Sequence, residues 1–182
     1  MLRYPRWADY SAWAALRRES RKFLEPWEPS WSVDELERSA WRQRLRQYRH
    51  ERRLGTGETF LILDRHSGDL VGGISIGNIR RGVAQSGHIG YWMGEKHSGK
   101  GLMSEALSLV IEHGILTLGL HRIEAACIPD NKRSIRVLEK AGFRSEGLLR
   151  SYLRINGKWQ DHILFSLTAE DFKVGSKQGM KD

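Results

Sequence analysis

Cysteine is almost absent from this chain: of 182 residues only Cys127 is a cysteine, which excludes an intramolecular disulfide framework. Seven histidines are present, but none stands at ligand spacing to Cys127, so neither structural zinc nor any other metal is expected. No apolar run approaches the ~18 residues of a membrane span. The opening "MLRYPRWADY" lacks the apolar stretch of a secretory leader, so a cytoplasmic location is expected, with no membrane partner. Repeats, linkers and low-complexity segments are missing too. The expectation is a single domain over residues 1–182, with a loose tail over about 173–182. Acidic residues are also scarce, 22 against 30 lysines and arginines, giving +8 and a pI near 9.9. Such an excess favours encounter with anions (nucleic acid, phosphorylated cofactors or acidic proteins) without choosing among them.

What is present reads as alternating helices and short strands. Asp9 is placed to cap a first helix with Trp13, Leu16, Phe23 and Leu24 near one face. The prolines of "LEPWEPSW" end it. Ser32 and Glu35 have capping-box spacing, predicting a second helix with Leu36, Trp41, Leu45 and Tyr48 inward. Its far end carries six arginines between Arg42 and Arg53. "TFLILD" and "LVGGISI" predict a hairpin around "RHSGD"; "SGHIGYWM" and "HRIEAACI" predict two further strands. A helix starts at Leu102, and another lies in "PDNKRSIRVLEKAGF". Asn156-Gly157 then marks a hairpin turn between two long closing strands. The sum is an α/β (α+β) fold with a central mixed, mostly antiparallel sheet of six or seven strands flanked by helices.

The most informative stretch is "GEKHSGKGLMSEAL", residues 94–107. Counted from Gly94 it is a near-miss of the P-loop, G-x-x-x-x-G-K-[ST], with Gly101 where a hydroxyl should hold Mg²⁺. Neither Gly101 nor Leu102 supplies that oxygen, and too few strand–helix units follow to build a parallel sheet. Counted from Lys96, the same residues form Lys96-x-x-Gly99-x-Gly101 running into a helix. Glycines at a helix N-terminus let backbone N–H groups approach an anion, aided by the helix dipole.

This second frame resembles the Q/R-x-x-G-x-G/A pyrophosphate motif of the GNAT family of acetyl-coenzyme A-dependent N-acetyltransferases. The ordered segments "FLEPWEPSW", "YWMGEKHSGKGLMSEAL", "HRIEAACIPDNKRSIRVLEKAGFRSEG" and "SYLRINGKWQDHILFSL" resemble its RimJ/RimL branch, from about Leu2 to Phe172. The resemblance implies acetyl-CoA as co-substrate and acetylation of a protein N-terminal amine, in particular a ribosomal protein's N-terminal alanine. It implies a splayed strand, His88 to Met93, whose backbone near Trp92 and Met93 holds the pantetheine arm. It further implies a pyrophosphate cradle of Lys96, His97, Ser98, Gly99, Lys100, Gly101 and Leu102, with Asn131 on the arm and Lys140 toward the 3′-phosphate. Many members carry a tyrosine seven residues after that asparagine; here Leu138 stands there. The branch instead has a serine three residues after it, so Ser134 is the candidate general acid or thiolate stabiliser. Only "MLRY" stands before Pro5 where the family has a full first strand, so that strand is expected to be short or truncated.

An α-amine, with a pKa of about 7.7–8.0, is partly neutral at cellular pH and needs only a weak base; a lysine amine at about 10.4 asks for more. Glu28, His88, Glu124 and Tyr152 are open as bases, and Cys127 as a covalent acyl carrier. Trp27, Glu28, Trp31 and Tyr152 are the expected acceptor-groove residues. Two other functions stay in view: acetylation of a small-molecule amine, and a basic ribosome- or RNA-binding module built on the arginine cluster. No aromatic stacking motif accompanies those arginines, so direct nucleic-acid binding is not expected. The chain is expected to be a monomer or homodimer.

Overall fold

The computed structural model describes residues 1–172. Seven strands form one sheet: β1 (Leu2–Arg3), β2 (Glu58–Leu63), β3 (Leu70–Arg80), β4 (Ser86–Met93), β5 (Arg122–Cys127), β6 (Arg144–Ile155) and β7 (Lys158–Thr168). Their order is β1-β2-β3-β4-β5-β7-β6. All neighbours are antiparallel except β4 and β5. The helices are α1 (Tyr10–Glu19), α2 (Arg21–Leu24), α3 (Arg38–Leu54), α4 (Leu102–Glu112) and α5 (Lys132–Lys140). This is the mixed, mostly antiparallel α/β architecture that the sequence predicts. The predicted tail, 173–182, lies outside the described residues.

Local chemistry explains the hairpins. At the β2–β3 turn the Asp64 carboxylate accepts the N–H groups of His66 and Ser67 at 2.8 and 3.1 Å. At the β6–β7 turn Asn156 and Gly157 both have positive φ, +44° and +76°, the backbone that a two-residue hairpin requires. The first strand has only two residues, paired as Leu2↔Ile62 and Arg3↔Leu61.

Two helix starts differ from the sequence reading. The second helix begins at Arg38, and Ser32 and Glu35 form a turn before it instead of a capping box. Glu35 is drawn away because its carboxylate pairs with Arg44 and lies 3.9 Å from Arg17. Asp9 precedes α1 but does not cap it; its carboxylate takes the Arg6 N–H at 2.7 Å and the Arg3 guanidinium at 2.5 Å. The first helix also breaks at Ser20, whose hydroxyl accepts the Glu95 N–H at 3.0 Å. That bond ties the α1–α2 junction to the end of β4. Contact there is close enough that a methyl group on Gly94 would enter the space of Leu16.

The sheet separates two cores. On one face α4 and α5 cover Val71, Ile74, Ile76, Ile89, Ile123 and Phe165, with Leu107 of α4 packed among them. On the other, α1 and α3 cover Leu61 and Leu63 with Trp13 and Trp41, whose rings lie 4.7 Å apart. Each such burial contributes roughly 1.5–3 kcal/mol. Among the described residues no helix is long and apolar enough to cross a membrane.

The feature that positions the site is the fork between β4 and β5. They pair only at Ser86↔Arg122, Gly87↔Ile123 and His88↔Glu124. Beyond His88 each strand stays bound on its outer side, β4 to β3 and β5 to β7, while their facing edges part. Gly94 donates its N–H to Val71 on the β3 side. Alternation along a strand therefore turns the N–H and C=O of Tyr91 and Met93 toward the gap.

Candidate active site

The mouth of the fork leads into the glycine loop. A short turn over Glu95–His97 is followed by Gly99 and Gly101, at φ +79° and +81°, and α4 starts at Leu102. No atom lies within 4 Å of where a Cβ would stand on either glycine, so the backbone is bare toward solvent. The first N–H groups of α4 have no intrahelical acceptors and face the same opening. His97 contributes a buried Nε2 with no protein partner; burial, with Lys96 and Lys100 beside it, lowers its pKa and keeps the ring neutral. Ser98 is partly buried in the loop and Lys100 is exposed. Lys96 points elsewhere: its ammonium pairs with Glu19 at 3.1 Å. Both partners are largely exposed, so this pair is weak and opens at little cost.

At the fork's α5 side stand Tyr91, Ser134 and Cys127. The Tyr91 phenol is 2.8 Å from Ser134 Oγ, and burial pushes its pKa well above the ordinary value. Burial lifts the Cys127 thiol to about 11, Ser134 beside it opposing the shift in part. Asn131 caps α5, its Oδ1 accepting the Ser134 N–H at 3.1 Å, which fixes the serine and leaves only the Asn131 NH₂ for other partners. Leu138 is 1% exposed in the core beneath α5, so a tyrosine at this position would not fit without repacking. Lys140 lies on the last turn of α5, about 13 Å along the axis from Asn131. The first turn carries Lys132 and Arg133 instead.

The opposite face holds the acceptor-side residues. Arg17, 6% exposed, is the centre. Its guanidinium lies 5.8, 4.5 and 5.0 Å from the ring centres of Trp13, Trp31 and Trp92. Glu28 receives two Arg17 hydrogen bonds, 3.2 and 2.6 Å, and the Trp31 indole N–H at 2.9 Å. Its charge is therefore already matched, and it is not a free anion waiting for an amine. The Glu28 carbonyl accepts the Asn156 N–H, joining the "EPWEPSW" loop to the β6–β7 turn. Trp27 is exposed outside this cluster, and Tyr152 packs edge-on against His162. His88 and Glu124, the last pair before the strands part, meet on this face at 2.6 Å. Glu124 is also held by Arg122 at 2.7 Å and Arg80 at 3.4 Å, and Arg122 by Glu146.

Two of these residues escaped the sequence reading. For Tyr91 the signal is strand alternation, which sends its side chain toward α5. For Arg17 it is a cation at helical spacing within the apolar stripe of Trp13, Leu16 and Leu24.

The parts suit a phosphorylated ligand with an amide-rich arm. The bare glycine turn ahead of α4 offers free N–H groups of the kind that suit phosphate, and the open edges of the fork offer backbone groups of the kind that suit amides. A P-loop enzyme would need a parallel sheet, and β4 has only one parallel neighbour. Among the described residues no group of His, Cys, Asp or Glu could hold a metal. Residues 1–144 match the family model described as the acetyltransferase (GNAT) domain, and the chain belongs to the GNAT acetyltransferases. It is 38% identical over 170 residues, 93% of this chain and 84% of the relative, to the [ribosomal protein uS5]-alanine N-acetyltransferase of Escherichia coli. Its fold matches the ribosomal-protein-S5-alanine acetyltransferase of Vibrio fischeri with a TM-score of 0.87, 35% identity and 93% coverage of both chains. It matches Mycobacterium smegmatis RimJ in complex with CoA-disulfide at TM-score 0.87 and 38% identity, covering 93% of this chain and 82% of that one.

With its thiol near 11, Cys127 is a poor nucleophile at pH 7, where only about one molecule in ten thousand carries the thiolate. Alkylation by iodoacetamide should be negligible in the folded chain at pH 7 and accelerate toward pH 11. Rapid modification at neutral pH, followed by mass spectrometry, would contradict the burial described.

Proposed function

We propose that this chain transfers the acetyl group of acetyl-CoA to the α-amine of a protein N-terminus, with the N-terminal alanine of a ribosomal protein as acceptor. The observation that carries this reading is the fork, which has the Tyr91–Ser134 hydroxyl pair on one face and a His–Glu pair on the other. The acceptor class draws on the two uS5/S5-alanine acetyltransferases at 38% and 35% identity. The site of action would be the cytoplasm.

Bound acetyl-CoA supplies an acetyl group activated as a thioester. The N–H groups of Tyr91 and Met93, turned into the gap, are positioned for the pantetheine arm and the thioester carbonyl. Gly99, Gly101 and the first turn of α4 hold the pyrophosphate. The amine enters from the Trp92 face, between the Arg17–Trp31 wall and the β6–β7 turn. His88, oriented by Glu124, accepts the proton that the α-ammonium must lose before attack. As the C–N bond forms and the C–S bond breaks, the Ser134 hydroxyl, with Tyr91 donating to its Oγ, gives its proton to the departing sulfur; the second proton of the nitrogen is released to water, from which Ser134 is reprotonated. Acid and base sit on opposite faces of one gap, which suits direct attack and leaves Cys127 no covalent part.

Ser134→Ala should lower kcat by about 10²-fold with acetyl-CoA affinity nearly unchanged. His88→Gln should lower kcat/KM at neutral pH by a similar factor, the rate recovering as pH rises toward the amine's own pKa. An unaltered pH profile would remove His88 from the mechanism. A thiol-release assay tests the acceptor: peptides with a free N-terminal alanine should turn over. N-terminally blocked lysine peptides and polyamines should not; turnover of the polyamines alone would overturn the proposal.

A further inference from the structure

Helix α3 carries seven arginines and one carboxylate, Glu51, which is occupied by Gln47 at 2.6 Å. Trp41 and Leu45 face the core, so the outward face is set by Arg42, Arg46, Arg49 and Arg53 at spacings of 4, 3 and 4. These four form a stripe about 16 Å long, and all are exposed. Elsewhere the buried or bracing arginines have carboxylate partners: Arg3 with Asp9, Arg17 with Glu28, Arg122 with Glu146. Among the described residues the four stripe arginines have none. A stripe of guanidinium groups left unneutralised is a site for a polyanion.

A second, independent observation selects the polyanion. The fold brings exposed aromatic rings alongside the helix. Trp7 is 42% exposed; Tyr4, 39% exposed, is already stacked on Phe60 at 4.9 Å. Arg42 lies over Trp7 at 5.7 Å, Arg38 over Tyr10 at 5.0 Å, and Arg52 over Tyr4 at 4.1 Å. Trp7 and Tyr10 stack with their planes 15° apart. The sequence reading found no aromatic partner for the arginines because Tyr4, Trp7 and Tyr10 are far from them along the chain. Guanidinium groups for phosphates, beside exposed rings for bases, are the two components that single-stranded nucleic acid requires. An acidic polypeptide would use the charges but not the rings.

We propose that the outer face of α3, with Trp7 at its edge, docks single-stranded RNA. The surface lies on an element that contributes none of the proposed catalytic groups. It would hold the enzyme near an RNA-bound protein while the N-terminus of that protein reaches the fork. The arginines take phosphates and Trp7 takes a base by stacking, both with little sequence preference.

Fluorescence anisotropy with a short labelled single-stranded RNA of mixed sequence tests this, using the whole chain without acetyl-CoA. Four arginine–phosphate contacts predict that log K falls against log salt with a slope of about −3. Combining Arg42→Ala, Arg46→Ala, Arg49→Ala and Arg53→Ala should remove most of the binding and flatten that slope. Arg46→Glu with Arg49→Glu should do the same while leaving every aromatic contact in place; an unchanged melting curve shows that the fold is kept. Trp7→Ala should weaken RNA about fivefold or more. The proposal is overturned if the wild-type chain shows no salt-dependent RNA binding, or if the arginine variants bind RNA as it does. It is also overturned if polyglutamate binds as tightly as RNA and Trp7→Ala has no effect, which would make the face a dock for acidic protein. Binding is read directly, so a failed acceptor assignment would leave this result standing, and the converse holds.

Discussion

Every backbone N–H and C=O in a strand needs a partner, and β4 and β5 do not pair with each other beyond His88 and Glu124. Exposed edges are costly and prone to pair with other chains, so a fold keeps one inside a sheet only where something else completes it. Here three residue pairs hold the strands together at their start, and outer ladders to β3 and β7 hold them apart beyond His88. Such an edge suits a chain-like molecule with amides of its own. The pantetheine arm of coenzyme A is such a molecule, and in the proposed reading the glycine loop at the mouth of the gap takes its phosphates.

The same fork sorts the chemistry. Alternation along β4 sends Tyr91 to the α5 face and His88 and Trp92 to the other. Ser134, oriented by Asn131 and Tyr91, therefore lies on one face and the His88–Glu124 pair on the other, the sides proposed for the sulfur and for the acceptor. The acceptor wall rests on a buried ion pair, Arg17 with Glu28, packed among three tryptophans. Buried pairs of this kind contribute little net stability, because desolvation offsets their attraction. Their effect is geometric: one guanidinium fixes Trp31, Trp92 and the loop carrying Glu28 in a single arrangement. Removing either charge would leave the other stranded, at a cost of roughly 3–5 kcal/mol.

Much of this was legible in the residues. Periodicity and turn chemistry located strands β2 to β7, both hairpins and the two helices beyond the glycine loop. The frame Lys96-x-x-Gly99-x-Gly101 separated the loop from a P-loop before any coordinates. What stayed hidden depends on distance in space. Glu35 looks like a capping residue until Arg44 and Arg17 claim it. Glu28 looks free until Arg17 arrives from α1, eleven residues earlier. Leu138 looks like a missing acid, but it fills the core, and a phenol reaches Ser134 from β4, 43 residues away. Side-chain pairing across elements carries no local signature, so these assignments had to wait for the fold.

The central claim is that the open edge of β4 receives the acetyl-CoA arm. Amide-resolved hydrogen exchange, with and without acetyl-CoA, measures it directly. The Tyr91 and Met93 amides, facing the gap, should exchange quickly in the free chain and slow sharply on binding. The Trp92 amide, bonded to β3, should be slow in both states. If acetyl-CoA binds and leaves Tyr91 and Met93 unprotected, the arm lies elsewhere and the account of the fork is wrong.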